Sequence, residues 1–120
     1  MDRKTMIREY KQRRPPMGVF QVRNRASGKV LVGASTDLPA MLNRQRAQLR
    51  MGAHPSRELQ ADWKALGPDA FAFEILDILA RVDEAGVDPA EDLRILEMMW
   101  LDKLEPYGER GYNTAPARKA

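Results

Sequence analysis

Two short stretches near the start of the chain alternate between apolar and polar residues, and together they predict a β-hairpin. Residues 17–24 (MGVFQVRN) and 30–33 (VLVG) are rich in the β-branched and aromatic side chains that favour strands. Between them, Gly28 is suited to a tight turn. We therefore expect two adjacent antiparallel strands here.

Helical spacing of apolar residues replaces this alternation after the hairpin and predicts a helix over about residues 38–51. Asp37 is suited to cap its first turn, and Gly52 is suited to end it. Gln45 falls near the centre of its apolar stripe, so the amide is either a buried hydrogen-bonding group or part of a pocket floor. The stripe consists of Leu38, Met41, Leu42 and Leu49.

The second half of the chain predicts a helix, a strand and a longer helix. The first helix covers about residues 56–66 and stops at Gly67-Pro68. The strand covers residues 71–79, where alternation becomes a continuous apolar run. The longer helix begins at Asp88-Pro89-Ala90-Glu91, a sequence suited to a helix start, and continues to about Leu104.

A short helix is also predicted over residues 2–12, before the helix-breaking pair Pro15-Pro16. The predicted order is therefore helix, strand, strand, helix, helix, strand, helix. We divide the chain into an N-terminal helix and linker (1–16), one domain (17–115) and a flexible tail (116–120). A length of 120 residues with 43% hydrophobic and 31% charged residues suits a single hydrophobic core.

Composition excludes several kinds of chemistry. The chain has no cysteine, which excludes disulfides, thiolate zinc sites and cysteine nucleophiles. The first residues lack the apolar core of a secretory signal, and no apolar run approaches the roughly 18 residues of a membrane span. We therefore expect a soluble protein of the cytoplasm.

The net charge of +3 is unevenly distributed along the chain. Residues 1–50 hold 12 Lys and Arg against 3 Asp and Glu, a balance of +9, whereas residues 51–120 hold 8 against 14, a balance of −6. Such a charge dipole either steers nucleic acid toward the basic part or is a solvated basic surface. Five arginines have guanidinium groups suited to backbone phosphates: Arg23, Arg25, Arg44, Arg46 and Arg50.

Two further side chains are candidates for chemistry. Glu97 lies about 40° around the last helix from Leu93, inside its apolar stripe. A carboxylate there either binds a metal ion or reaches water or a nearby arginine. His54, the single histidine, lies between two predicted helices, where it can exchange protons, contact a phosphate or cap the next helix.

A set of short motifs carries a resemblance to a known family. They are Gly18-Val19-Phe20, Leu31-Val32-Gly33, Gly52-Ala53-His54 and Tyr112-Asn113. In order and spacing they resemble the GIY-YIG nuclease superfamily, whose members cut DNA in repair, intron homing, restriction and junction resolution. The resemblance covers residues 17–114 and implies an α+β fold with a three-stranded antiparallel sheet flanked by helices.

The resemblance also implies roles for individual residues. Glu97 corresponds to the family's helical glutamate, which binds one divalent cation, Mg²⁺ or Mn²⁺, to polarise the scissile phosphate and stabilise the leaving oxygen. Asn113 is implied as a polar organiser of the site. His54 is implied as a contact to the phosphate, where it is also a candidate base.

Four positions depart from the family's pattern, so the motif is degenerate. Phe20 and Leu31 stand where the two motif tyrosines are expected. Met41 and Gln45 stand where the family's first helix carries arginine and, four residues later, histidine. Loss of an oriented base alone typically costs about 100- to 10,000-fold in rate. Arg44, about 60° around the helix from Met41, is the candidate to replace the lost arginine.

Three functions follow from these observations. The preferred one is binding of nucleic acid, and DNA in particular, on an endonuclease-like scaffold whose phosphodiester cleavage is weak, rewired or absent. The second is an active metal-dependent endonuclease that uses Glu97, Asn113, His54 and Arg44. The third is a protein-interaction module in which the apolar cleft binds a partner, for which seven methionines offer adaptable contacts.

Overall fold

The computed structural model describes residues 15–80 and 88–116, in which strands and helices follow the predicted order. The strands are β1 (Gly18–Asn24), β2 (Val30–Ser35) and β3 (Phe71–Ile78). The helices are α1 (Leu38–Met51), α2 (Arg57–Leu66) and α3 (Ala90–Leu104). The predicted helix over residues 2–12 and most of the predicted tail lie outside the described residues.

The three described strands form one antiparallel sheet in the order β2-β1-β3. β1 and β2 pair without irregularity, and Phe20 lies opposite Gly33. The pairing of β1 with β3 shifts once, between Val19 and Phe20. The predicted α+β fold and its three-stranded antiparallel sheet are therefore confirmed, with β2 and β3 as the outer strands.

Helices cover both faces of this sheet because its side chains alternate between the two faces. One face packs on α1 and α2 through a core of Val22, Leu49, Leu59, Trp63, Phe71 and Tyr112. The other face packs on α3 through Val19, Val30 and Val32, against Leu96, Trp100, Leu101 and Leu104. The sheet is thus the middle layer of three.

Local caps set the helix boundaries close to where the sequence predicts them. The Asp37 carboxylate accepts the backbone N–H of Ala40 at 3.1 Å, and Gly52 ends α1 in the left-handed conformation with φ of 73°. At the start of α3, the Asp88 carboxylate accepts the backbone N–H of Ala90 at 3.0 Å. Among the described residues, no helix has both the length and the apolarity needed to cross a membrane.

Candidate functional site

An open cleft of about 560 Å³ lies beside β2, where the α1–α2 loop meets the segment that follows α3. Four positions singled out by the sequence line it: Leu31, Gln45, His54 and Asn113. The fold therefore brings together residues that are separated by up to 82 positions in the chain.

Asn113 is bound to the outer edge of β2 through both groups of its amide. Its Oδ1 accepts the backbone N–H of Val32, and its Nδ2 donates to the carbonyl oxygen of the same residue, each at 2.8 Å. The neighbouring backbone N–H of Tyr112 donates to the Val30 carbonyl at 2.9 Å. Asn113 thus pairs with the outer edge of β2 where the cleft wall meets the sheet. Its role as a polar organiser of the site stays a prediction.

Tyr112 links the cleft wall to a buried polar chain that sequence reasoning missed. The Asn24 side chain, 1% exposed, donates from Nδ2 to the Tyr112 hydroxyl at 3.0 Å, and that hydroxyl donates to the Asp62 carboxylate at 2.7 Å. Burial, together with the acceptor Asp62, raises the pKa of Tyr112 to about 12. The phenol is therefore protonated at neutral pH. The sequence offered one signal for this polar chain: Asn24 precedes the β1–β2 turn, where asparagine is common. That signal does not reveal the contacts with Tyr112 and Asp62.

His54 is buried in the α1–α2 loop, and both of its ring nitrogens have partners. Its Nδ1 accepts the backbone N–H of Ser56 at 3.0 Å, so Nε2 carries the proton and donates to Gln45 Oε1 at 2.6 Å. Burial lowers the pKa of His54 below its ordinary value of 6.5. The ring is therefore neutral at neutral pH, and action as a base requires loss of the Ser56 hydrogen bond. Gln45 proves to be both a hydrogen-bonding group and part of the cleft wall.

The three apolar replacements pack against other parts of the protein, and of these three Leu31 lines the cleft. Phe20 is 4% exposed, and its ring lies so close to Gly33 that an added Cβ there would be 2.8 Å from its Cζ. Leu31 packs against the core between the sheet and α2. Met41 is half-buried, with its sulfur 3.5 Å from Gln45 Nε2. None of these side chains carries a hydroxyl or a cation.

Glu97 lies on α3, half-buried, and is not among the residues that line the cleft. In the described part of the chain no hydrogen bond or ion pair holds its carboxylate, and none of its oxygens is sealed from solvent. Across residues 15–80 and 88–116, no group of three or more His, Asp or Glu side chains is arranged to hold a metal ion. Glu97 therefore offers a single accessible carboxylate.

The five predicted phosphate-binding arginines differ in their surroundings. Arg23 forms a two-point ion pair with Glu74, at 2.8 Å and 3.2 Å, and this contact raises the pKa of Arg23. Arg25 and Arg44 are exposed. Arg46 lies over the ring of Phe73, 4.4 Å from its centroid, and lines a second groove on α1 together with Arg50.

Comparison with known proteins gives a match at the level of structure. No protein-family model matches the sequence, and no curated protein matches it. The catalytic domain of the homing endonuclease I-TevI superposes with a TM-score of 0.66 and 27% identity, covering 83% of this chain and 99% of that one. A point mutant of the same domain superposes with a TM-score of 0.67 and 25% identity, and the match covers 88% of this chain and 99% of that one. Because that domain is a GIY-YIG nuclease domain, this chain has a GIY-YIG-like, endonuclease-like fold.

Proposed function

We propose that the protein binds nucleic acid, and DNA in particular, and that it cleaves phosphodiester bonds weakly or not at all. One observation carries this proposal. Phe20, Leu31 and Met41 stand at positions where the family is expected to activate water and clamp phosphate. Their side chains pack against the protein and offer no polar group for either task. The fold is kept while the groups expected to drive hydrolysis are replaced.

Three titratable groups that line the cleft, His54, Glu58 and Tyr112, are engaged in contacts within the protein. His54 uses both ring nitrogens in hydrogen bonds. Oε1 of Glu58 pairs with Lys29. The Tyr112 hydroxyl is held by Asn24 and Asp62. A base must accept a proton through a free lone pair within hydrogen-bond reach of the attacking water. His54, the histidine proposed as that base, offers none unless it loses its hydrogen bond to Ser56, which supports weak or absent cleavage.

Binding of DNA is supported by the charge distribution and by the likeness to an endonuclease domain. The first 50 residues carry the balance of +9, and the exposed Arg25 and Arg44 belong to that part of the chain. Arg57 adds a cation to the cleft lining. Cations near a cleft attract the phosphate backbone whatever its base sequence, which suits binding without cutting.

Glu97 favours a second candidate function, an active endonuclease that uses Glu97, Asn113, His54 and Arg44. Mg²⁺ keeps several waters and often takes one or two carboxylates together with phosphate oxygens of the substrate. The accessible Glu97 carboxylate, which has no partner in the described part of the chain, fits Mg²⁺ or Mn²⁺ shared with a DNA phosphate. Such an ion would supply charge to polarise that phosphate.

Equilibrium binding tests the proposed function. Fluorescence anisotropy of labelled duplex, branched and single-stranded DNA would be measured over a range of salt concentrations. We expect binding whose logarithmic affinity falls with log salt by about 0.9 per duplex phosphate contact. An affinity that does not change with salt would contradict the proposal and favour the protein-interaction module.

Cleavage tests the second candidate. The same DNAs would be incubated with Mg²⁺ or Mn²⁺ and either the wild type or Glu97→Gln, which keeps the size of the side chain and removes its charge. Products that form with the wild type and not with the variant would establish an endonuclease. Absence of products at high protein concentration would support the non-cleaving account.

A further inference from the structure

A second groove lies on the flank of α1 that faces away from the cleft. It has a volume of about 640 Å³ and is lined by Asn43, Arg46, Ala47, Arg50 and Met51. The Arg46 guanidinium lies over Phe73 of β3, whereas the cleft opens beside β2. Because β1 separates these two strands and neighbouring strands are about 4.8 Å apart, the two hollows lie on opposite flanks of α1.

The groove continues toward the end of α2. An adjoining hollow of about 550 Å³ shares Arg50 and Met51 with it and runs past Lys64 to Gly67 and Pro68. Among the described residues that line the two hollows there are three cations and no carboxylate. The cleft differs in this respect, since Glu58 lies in its wall. The groove and the hollow that adjoins it are therefore attractive to an extended anion.

The arginines of this groove are positioned for an external partner. Arg46 and Arg50 are one helical turn apart, so their side chains lie on the same face of α1. The Phe73 ring and a hydrogen bond to Asn43 at 3.3 Å hold the Arg46 guanidinium in place. Arg50 has no hydrogen bond or ion pair within the described part of the chain. Arg23, by contrast, is occupied by Glu74.

We propose that this groove is a second binding site for a nucleic-acid phosphodiester backbone, separate from the cleft. The proposal rests on the proposed function for the identity of the polyanion. Arg46 and Arg50 contact phosphate oxygens, since a planar guanidinium group can donate two parallel hydrogen bonds to such a group. Lys64 extends the contact along the backbone. Met51, 79% exposed, provides apolar surface for the intervening sugars.

The test compares the full-length wild type with Arg46→Gln/Arg50→Gln, using a fluorescein-labelled 20-base-pair duplex and anisotropy as the readout. At about 0.1 M salt we expect the double variant to bind at least about tenfold more weakly, and its salt slope to fall by about 1.8, or 0.9 per lost contact. Arg94→Gln is the matched control, because it removes an exposed helical arginine from the acidic half of the chain. It should leave both quantities unchanged.

A second double variant separates charge from packing. Arg46→Lys/Arg50→Lys keeps both positive charges but loses the planar fork and its stacking on Phe73. We expect this variant to keep the salt slope of the wild type. If the lysine variant lost as much slope as the glutamine variant, the effect would come from altered packing and the groove assignment would be overturned.

The remaining outcomes distinguish this proposal from the proposed function. Duplex binding by the wild type that Arg46→Gln/Arg50→Gln leaves unchanged would overturn the groove and leave the proposed function standing. Failure of the wild type to bind the duplex at any salt concentration would overturn both. Displacement of the duplex by polyglutamate as efficiently as by unlabelled duplex would overturn the assignment to nucleic acid.

Discussion

The two flanks of α1 use their polar side chains in different ways. In the cleft beside β2, His54 and Asn113 direct their hydrogen-bonding groups to other parts of the protein. In the groove beside β3, Arg46 has only neutral contacts and Arg50 has no partner in the described part of the chain. Groups that are satisfied internally stabilise the fold, whereas free cations attract external anions. Substitutions in the cleft should therefore reduce stability, and substitutions in the groove should reduce affinity.

Removal of the Asn113 amide should have the largest effect on stability. Asn113→Ala leaves the N–H and the carbonyl of Val32 without their partner at the sheet edge. Each unsatisfied group costs about 1–3 kcal/mol, so we expect the free energy of unfolding to fall by roughly 2–6 kcal/mol in urea titrations. Thr114→Ala, at the exposed neighbouring position, should change it by less than about 0.5 kcal/mol. Equal effects of the two substitutions would contradict a structural role for Asn113.

Loss of the Tyr112 hydroxyl should have the next largest effect. Tyr112→Phe keeps the ring but removes the bridge between Asn24 and Asp62, and we expect a loss of about 1–3 kcal/mol in the same titrations. DNA affinity should stay unchanged. Tyr107→Phe is the control, because the Tyr107 hydroxyl has no hydrogen bond within the described residues. A large fall in DNA affinity for Tyr112→Phe, with unchanged stability, would contradict the claim that polar side chains in the cleft stabilise the fold.

His54 should produce a smaller effect that depends on pH. The unfolded chain protonates this imidazole near its ordinary pKa of 6.5, whereas burial lowers the pKa in the folded state. The unfolded state therefore binds more protons below pH 6.5, and the unfolding free energy should fall as pH decreases from there toward the folded pKa. Above pH 6.5 this contribution is fully present.

The measurement compares urea unfolding of the wild type and His54→Asn between pH 7.5 and 5, a range chosen above the ordinary carboxyl pKa values. An asparagine oxygen can still accept the Ser56 N–H, and asparagine does not titrate. The difference in stability between the two proteins should shrink as pH falls. A constant difference would mean that His54 has the same pKa in both states.

Much of the fold follows from local patterns in the sequence. Alternation defines β1 and β2, and the caps at Asp37 and Gly52 set the boundaries of α1. These signals depend on neighbouring residues and elementary geometry. The lateral order of the strands, with β1 in the centre, was not predicted, because strand pairing is a long-range property.

The candidate site was predictable only in part. The resemblance placed Leu31, His54 and Asn113 in one site with Glu97. The first three line the cleft wall, and Glu97 does not. The resemblance did not reveal the partner of Asn113, and charge alone did not separate the paired Arg23 from the free Arg50. Partners of polar side chains depend on which elements meet in space, and residue type and spacing do not encode that directly.

The central claim is that the protein binds DNA on an endonuclease-like scaffold without effective cleavage. The most direct measurement incubates labelled duplex and branched DNA with Mn²⁺ and enough protein to saturate binding, and follows anisotropy and strand integrity in the same sample. We expect saturated binding with intact strands for both the wild type and Glu97→Gln. Strand cleavage by the wild type that Glu97→Gln abolishes would contradict the account.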